Sequence, residues 1–324
     1  MIHAYVAGPA AVERREVAAG EALPDGAVWL DLLEPTEAER ALVERAVEVE
    51  FPTRAEMVEI EPSSRLYTDR GAIFMTATII SHADRPNPGS DVITFILARG
   101  MLVTLRYVHP KPVATFAVRL ERQPALCATS EAAFLGLIDS FVDRIADILE
   151  RVGVDLDNLS QQIFRDPAAD GGDKPDLHAM LRTLGRNDDL TSTAAESLLS
   201  LSRLLRFFQQ ATDGTARKEQ KARIKDMQND LLWLRQHVDS EASKVGFLLD
   251  ATLGLINIEQ NAIIKIFSVA AVVFLPPTLV ASIYGMNFRW MPELESPFGY
   301  PGALILMVLS AVLPYAFFKR KGWL

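Results

Sequence analysis

The C-terminal part of the chain contains two long runs without charged side chains. The first lies between Lys265 and Arg289. Its roughly 23 residues would form about 34 Å of helix, enough to cross a bilayer core of about 30 Å. The second, Gly302 to Phe318, is close to the lower length limit for a span. The pattern predicts a first transmembrane helix over 265–287, an external loop over 288–300 and a second transmembrane helix over 301–319.

Two less specific interpretations of these runs remain open at this point. A hairpin buried in a large soluble protein would need long helices without the polar face that core helices usually have. A membrane anchor without further function fits the hydropathy equally well. Against the anchor, the first run contains Ser268, Thr278 and Ser282, and polar side chains within a span usually face another helix or a water-filled path.

The segment before the first span has the pattern of one long helix. It contains no proline from 215 to 275, and small or apolar residues alternate three and four positions apart, as in a packing seam. The members of this seam are Ile224, Met227, Leu231, Leu234, Val238, Val245, Leu248, Thr252 and Leu255. We predict a stalk helix over 215–264 that continues into the first span. Pro276 and Pro277 remove backbone hydrogen bonds there, which is tolerated where the freed carbonyls are buried or face water.

Residues 1–129 alternate β-prone runs with a helical pattern, which indicates a cytosolic α/β domain. Thr36 and Glu39 have the spacing of a capping box at the start of a helix that extends to about Val49. The predicted strands are the apolar, β-branched runs 1–7, 27–32, 71–80, 91–99 and 100–108. This part contains no glycine-rich phosphate loop and no nucleophile elbow. The overall prediction is an α+β/α membrane protein.

A helical pattern begins at Ser130, a candidate N-cap, and predicts a helical hairpin over 130–214. Its first helix contains five aspartates that could be considered as metal ligands. Because Arg144 and Arg151 are interspersed among them, we interpret them as a solvated face. These aspartates are Asp139, Asp143, Asp147, Asp155 and Asp157.

Composition narrows the class of function. The 324 residues carry a formal net charge of −9, which disfavours a nucleic-acid partner held by phosphate attraction and is compatible with cations. The single cysteine excludes an intrachain disulfide, and with five scattered histidines it provides no zinc-ligand cluster. No nucleophile, base and orienting group can be placed together, so we do not expect an enzyme.

Charge placement predicts the orientation in the membrane. The first residues lack the basic and apolar regions of a signal peptide, so we expect the N-terminal domain in the cytosol. An even number of spans returns the C-terminus to the same side, as a basic tail over 320–324 also indicates. We therefore expect a multi-pass protein of the inner membrane, with Glu293 and Glu295 in the external loop. The basic residues on the cytosolic side are Lys265, Lys319, Arg320 and Lys321.

Two spans cannot enclose a water-filled path, so conduction would require several copies around an axis. Residues on one stripe of the first span would then form rings: Asn261, Ile264, Leu275, Thr278, Ser282, Gly285 and Asn287. Mg²⁺ gives up its inner waters reluctantly, and uncharged oxygens can accept hydrogen bonds from those waters without stripping the ion. An apolar ring such as Leu275 could close the path by dewetting.

Four short motifs lie in and around the two predicted spans: YGMNF at 284–288, MPEL at 291–294, FGYPG at 298–302 and the basic ending KRKGWL at 319–324. Together they resemble the signature of the CorA-type magnesium transporters. Gly-Met-Asn alone is a weak signal, but its place at the outer end of the penultimate span makes it specific. The close resemblance covers about 254–324, and 29–39 and 56–67 resemble the family's soluble domain more loosely.

This resemblance implies a homopentamer in the lipid bilayer, with a selectivity filter made of Gly285, Met286 and Asn287. Asn261, Leu275 and Thr278 match pore-lining positions, and Ser282 stands where the family can have glycine. Asp226 matches a stalk position that helps bind regulatory Mg²⁺ between subunits, with Glu56 and Glu59 as the nearest candidate partners. Lys319, Arg320 and Lys321 would surround the pore at its cytosolic end. No cofactor is implied, since Mg²⁺ is cargo and regulatory ligand.

One departure from the family pattern lies just outside the predicted filter. Arg289 stands where an acidic residue often follows the motif, and it would repel incoming cations unless Glu293 or Glu295 compensates. The predicted function is a Mg²⁺ channel or transporter that can also pass Co²⁺ and Ni²⁺. A zinc transporter of the same fold and a membrane-tethered cation sensor without transport remain alternatives.

Overall fold

The computed structural model describes residues 1–324 apart from 9–10, 19, 86, 166–175, 215, 288–290, 293–295 and 323–324. It divides into two units, Met1–Leu249 and Asp250–Leu324. The strands are β1 Ile2–Ala7, β2 Val12–Val17, β3 Ala27–Leu33, β4 Leu66–Asp69, β5 Ala72–Ser81, β6 Gly89–Ala98 and β7 Met101–Arg106. The helices are α1 Glu37–Val47, α2 Arg54–Val58, α3 Pro62–Arg65, α4 Lys111–Arg122, α5 Ser130–Phe164, α6 Leu177–Thr212, α7 Lys218–Tyr284 and α8 Gly299–Arg320.

The strands form one sheet of seven, in the order β2-β1-β3-β7-β6-β5-β4. Only β3 and β7 pair in parallel, and the other neighbours are antiparallel. The five strands expected from the sequence are present. The two that the sequence did not predict, β2 and β4, are the two edges, and β2 is the charged segment VERREV. Edge strands often carry charged side chains, which prevent pairing with further strands. The same charges remove the apolar pattern from which a strand is predicted.

A buried polar network connects the two parallel strands. Arg106 donates from its Nε and one terminal nitrogen to the two carboxylate oxygens of Asp31, at 2.9 and 2.7 Å. Thr104 donates to the same carboxylate, and the Trp29 indole donates to the Thr104 hydroxyl at 3.0 Å. The bidentate pair satisfies both charges in the core. It fixes the end of β7, from which the chain enters α4.

The helices α1 and α5 begin at or close to their predicted positions. The Thr36 capping box is confirmed, with the Glu39 carboxylate accepting from the Thr36 N–H at 2.8 Å. At α5 the cap prediction was wrong by one residue, because Thr129 and not Ser130 accepts the Ala132 N–H, at 3.1 Å. Ser130 is the first helical residue and is buried. The connection between the two helices of the predicted hairpin lies largely outside the described residues.

The predicted fold class is confirmed, since α7 contains both the seam and the first apolar run as far as Tyr284 in one helix of 67 residues. Most seam residues are buried. The second apolar run forms α8, and α7 and α8 are both long and apolar enough to cross a membrane. Pro276 and Pro277 lie within α7, which continues past them to Tyr284.

Candidate ion pathway

The predicted pore stripe lies on a side of α7 that the rest of the second unit leaves uncovered. At about 100° per residue, its helical members fall within an arc of roughly 100°. All are exposed in the single chain: Asn261, Ile264, Leu275, Thr278 and Ser282. The less exposed residues lie on the opposite side, with Val269 at 4% exposure and Val273 and Val280 half-buried. The stripe is therefore free to face other copies of the chain.

The hydroxyl of Thr278 has a defined orientation within the stripe. It donates its proton to the Phe274 carbonyl at 2.7 Å. A hydroxyl oxygen also has acceptor lone pairs, so with its proton directed along the helix it can accept a hydrogen bond from water. Thr278 lies immediately after Pro277, next to the place where the backbone ladder loses two N–H donors.

The three residues of the predicted filter follow the end of α7. Gly285 donates its N–H to the Ala281 carbonyl at 2.9 Å, and Met286 donates to Ile283 at 3.2 Å, which closes the helix as a turn. A Cβ on Gly285 would lie 3.1 Å from the Ala281 carbonyl oxygen, a tight contact that favours glycine. Gly285 and Asn287 lie beyond Tyr284, the last residue of α7, so helical geometry alone does not assign them to the stripe and their place on it stays a prediction.

The charged residues expected at the two mouths are only partly described. Lys319 and Arg320 are in the last turn of α8, and Lys321 is its C-cap, where basic side chains interact favourably with the helix dipole. All three are exposed, and the Lys321 ammonium lies 5.9 Å from the centre of the Phe317 ring. Glu293 and Glu295 lie outside the described residues, as does Arg289.

The predicted regulatory acids do not form a site within one chain. Asp226 is exposed on α7. The Glu56 carboxylate caps its own helix, accepting from the Thr53 N–H at 2.7 Å, and that hydrogen bond holds the pKa of Glu56 below its ordinary value. Glu59 is the C-cap of α2. In the described part of the chain, no group of three or more His, Cys, Asp or Glu side chains could hold a metal ion.

Sequence reasoning missed Glu241, a carboxylate buried in the seam of α7. Its side chain is 10% exposed, its Oε1 lies 3.7 Å from His237 Nε2, and its Oε2 has no hydrogen-bond partner among the described residues. A Cβ on Gly153 of α5 would lie 3.5 Å from Oε1, so the carboxylate faces that helix. The sequence did contain an indication of this burial. Seam residues recur every three or four positions, so a residue between Val238 and Val245 must also lie in the seam.

A second missed feature is Asp84, which follows β5 and contacts three cationic side chains. None of the motifs in the sequence pointed to it, because its partners Lys111, Arg144 and Arg151 come from two other elements.

Comparison with known proteins places the chain in a family. Residues 24–320 match the family described as CorA-like Mg²⁺ transporter protein. The magnesium transport protein CorA of Salmonella typhimurium is 36% identical over 324 residues, covering all of both chains. That of Escherichia coli K12 is 37% identical over 298 residues, or 92% of each chain.

A solved structure supports the fold over the whole chain. The complete CorA magnesium transporter from Methanocaldococcus jannaschii matches with a TM-score of 0.73 at 16% identity, covering 100% of this chain and 99% of the other. At 16% identity this similarity supports only the fold. The family assignment is based on the family match and on the relatives of similar length. This chain belongs to the family of CorA-like Mg²⁺ transporter proteins.

Proposed function

We propose that this chain transports Mg²⁺ through a pore on the axis of a homopentamer, and that it catalyses no chemical reaction. The observation that carries the proposal is the uncovered stripe of α7, whose oxygen-bearing side chains are uncharged, in a chain that belongs to a magnesium transporter family. The large apolar side chains that are also exposed on α7, such as Phe267 and Phe274, would contact lipid or the neighbouring subunits.

The stripe has the chemistry to pass a hydrated ion. Waters bound to Mg²⁺ are hydrogen-bond donors, so the groups that stabilise them are acceptors: the carboxamide oxygens of Asn261 and Asn287, the hydroxyl oxygens of Thr278 and Ser282, and the carbonyl of Gly285. Neutral acceptors bind the hydrated ion weakly enough for release, as conduction requires. Exposed Leu275 and Ile264 supply apolar rings that would close the pore by dewetting.

The filter assignment is tested by Asn287→Ala. The variant should assemble as wild type in native mass measurements and lose Mg²⁺ uptake by on the order of tenfold or more, since the ring at position 287 loses the carboxamide of every subunit. Ser310→Ala is the control, because that hydroxyl donates to the Met307 carbonyl on α8, away from the stripe. Full Mg²⁺ uptake by Asn287→Ala would refute the assignment of Gly285, Met286 and Asn287 as the selectivity filter.

Regulation by cytosolic Mg²⁺ is proposed at Asp226, with Glu56 or Glu59 of a neighbouring subunit. Ions that bridge these carboxylates would hold the subunits closed, and their loss would let repulsion separate the subunits and wet the apolar rings. Asp226→Ala should then lose the protection against protease that Mg²⁺ gives the wild type. Asp239→Ala, which removes another exposed acid of α7, should keep it; equal protection in both variants would exclude Asp226.

The proposed membrane arrangement is a multi-pass inner-membrane protein with both termini in the cytosol. Lys319, Arg320 and Lys321 then surround the cytosolic mouth, and Glu293 and Glu295 lie in the external loop. Labelling of single cysteines placed at 257 and 300, in a variant without Cys127, tests this orientation in intact cells. Reagents that cannot cross the membrane should reach only position 300.

Ion type is decided by flux into liposomes. The purified chain should carry Mg²⁺, and Co²⁺ and Ni²⁺ to a lesser extent, without a proton gradient. Faster flux of Zn²⁺ driven by a proton gradient would favour a zinc transporter of the same fold. No flux of any of these ions, with Mg²⁺-dependent protease protection retained, would favour a sensor.

A further inference from the structure

The turn after β5 places one carboxylate among three cationic side chains. Asp84 Oδ2 lies 2.5 Å from the Lys111 ammonium and 2.7 Å from a terminal nitrogen of Arg144, and Oδ1 lies 2.9 Å from Arg151. The chain reverses here through His82, whose φ is +54°, and the Arg85 N–H donates to the His82 carbonyl at 2.8 Å. A single carboxylate cannot neutralise three cations.

The cluster forms one wall of a cavity of about 520 Å³. That volume lies within the range of small-molecule sites, about 300–1,000 Å³. The cavity is lined by the turn after β5, by the segment from β7 into α4, and by α5. The charged and titratable residues that line the cavity are Glu34, His82, Asp84, Arg85, Tyr107, His109, Lys111 and Arg144, and Arg151 reaches Asp84 from about two turns further along α5.

Two features give this cavity a positive potential. Three cationic side chains, Arg85, Lys111 and Arg144, line the cavity together with two carboxylates, Asp84 and Glu34. Arg151 also pairs with Asp84 from outside the lining, so positive charges outnumber negative ones here in a chain whose net charge is −9. The N-terminus of α4, a helix of 12 residues, also lies at the cavity, since Pro110, Lys111 and Pro112 line it. Pro110 and Pro112 have no N–H and the Val113 N–H donates to the Pro110 carbonyl, so this terminus contributes mainly through the helix dipole. Helix N-termini attract anions.

We propose that this cavity binds a small soluble anion of the phosphate class, such as a phosphate monoester or polyphosphate. Lys111 and Arg144 contact its oxygens, and Asp84 holds these two side chains in place when the cavity is empty. An arriving phosphate competes with Asp84 for the same donors. This site is separate from the ion pathway, and its test does not depend on transport.

Titration calorimetry on the full chain in zwitterionic nanodiscs, with EDTA present, measures binding of tripolyphosphate, ATP and inorganic phosphate. We expect saturable binding of tripolyphosphate, tighter than that of inorganic phosphate because it carries more charge. Lys111→Gln and Arg144→Gln should each weaken it about tenfold or more, the effect of losing a charge-assisted hydrogen bond. Asp84→Asn should tighten it severalfold, because it removes the competing negative charge.

Arg119→Gln is the matched control. Arg119 is on α4, toward its C-terminal end, and pairs with Asp139 outside the cavity, so its loss should leave binding unchanged. Circular dichroism verifies that each variant is folded. Absence of saturable binding, an equal effect of Arg119→Gln, or weaker binding by folded Asp84→Asn would each overturn the proposal. The chain should bind tripolyphosphate equally well in nanodiscs that contain anionic phospholipid. Loss of tripolyphosphate binding in those nanodiscs would mean that a lipid headgroup occupies the site instead.

Discussion

The contact between α4 and α5 depends on the absence of a side chain at Gly136. A Cβ at this position would lie 2.4 Å from Phe116 Cε2 and 2.9 Å from its Cζ. The Phe116 ring cannot move aside easily, because it is fully buried and packs 5.5 Å from the Trp29 ring. Gly136→Ala should therefore destabilise this contact, although alanine is the better helix former.

The expected magnitude follows from two opposing effects. Overpacking a buried contact costs about 1–3 kcal/mol, and replacing glycine by alanine within a helix contributes about 0.8–1.0 kcal/mol in the other direction. The net destabilisation is about 0–2 kcal/mol, or up to roughly 30-fold in the equilibrium constant for opening. Gly185→Ala on α6 has the same gain in helix propensity, and its Cβ would meet no atom of the described residues within 4 Å. The difference between the two variants therefore isolates the cost of overpacking.

Cys127 provides the assay. It is the only cysteine of the chain, it is fully buried between α4 and α5, and burial raises the pKa of its thiol to about 12. Alkylation at pH 8 therefore requires opening of this region, and its rate reports the opening equilibrium. Gly136→Ala should be labelled faster than wild type, and Gly185→Ala equally fast or more slowly. Labelling of Gly136→Ala no faster than Gly185→Ala would refute the reasoning.

Two further substitutions test the ion pathway and the seam of α7. Thr278→Val keeps the shape and removes the acceptor oxygen, so Mg²⁺ uptake should fall severalfold or more while Thr278→Ser retains it; equal uptake in both would mean that the hydroxyl does not contact the ion's waters. Glu241→Leu removes a buried oxygen that has no hydrogen-bond partner among the described residues. It should raise the free energy of unfolding by about 1–3 kcal/mol, measured by denaturation of the full chain. Asp239→Leu, at an exposed position, should change it by less than about 0.5 kcal/mol, and a loss of stability in Glu241→Leu would show that the carboxylate is needed.

The assembly that the transport proposal requires also has a physical reason. In a single chain, the part of α7 from Asn261 to Ser282 exposes polar side chains next to apolar ones such as Leu275. Polar side chains are unfavourable against lipid and become favourable when they face water or other helices. Copies arranged around an axis would remove these oxygens from lipid and line a common path with them.

The sequence alone predicted those helices and strands whose side chains repeat the same environment along the whole element. The two apolar runs, the seam from Ile224 to Leu255 and the five inner strands are recognisable because each repeats one type of environment at a regular spacing. The capping box at Thr36 was recognisable because both partners lie within one turn of helix. In the proposed ion pathway, the helical residues from Asn261 to Ser282 share one face by helical geometry alone.

Only the tertiary structure decided the features that depend on neighbours distant in the sequence. Whether the charged segment Val12–Val17 forms a strand depends on β1 being present to pair with it. Glu241 is buried because α5 packs against it at Gly153, and Asp84 meets Lys111, Arg144 and Arg151 because a turn, a helix start and a second helix converge. Local periodicity reports the average environment of a segment, whereas these contacts are fixed by the packing of separate segments on one another.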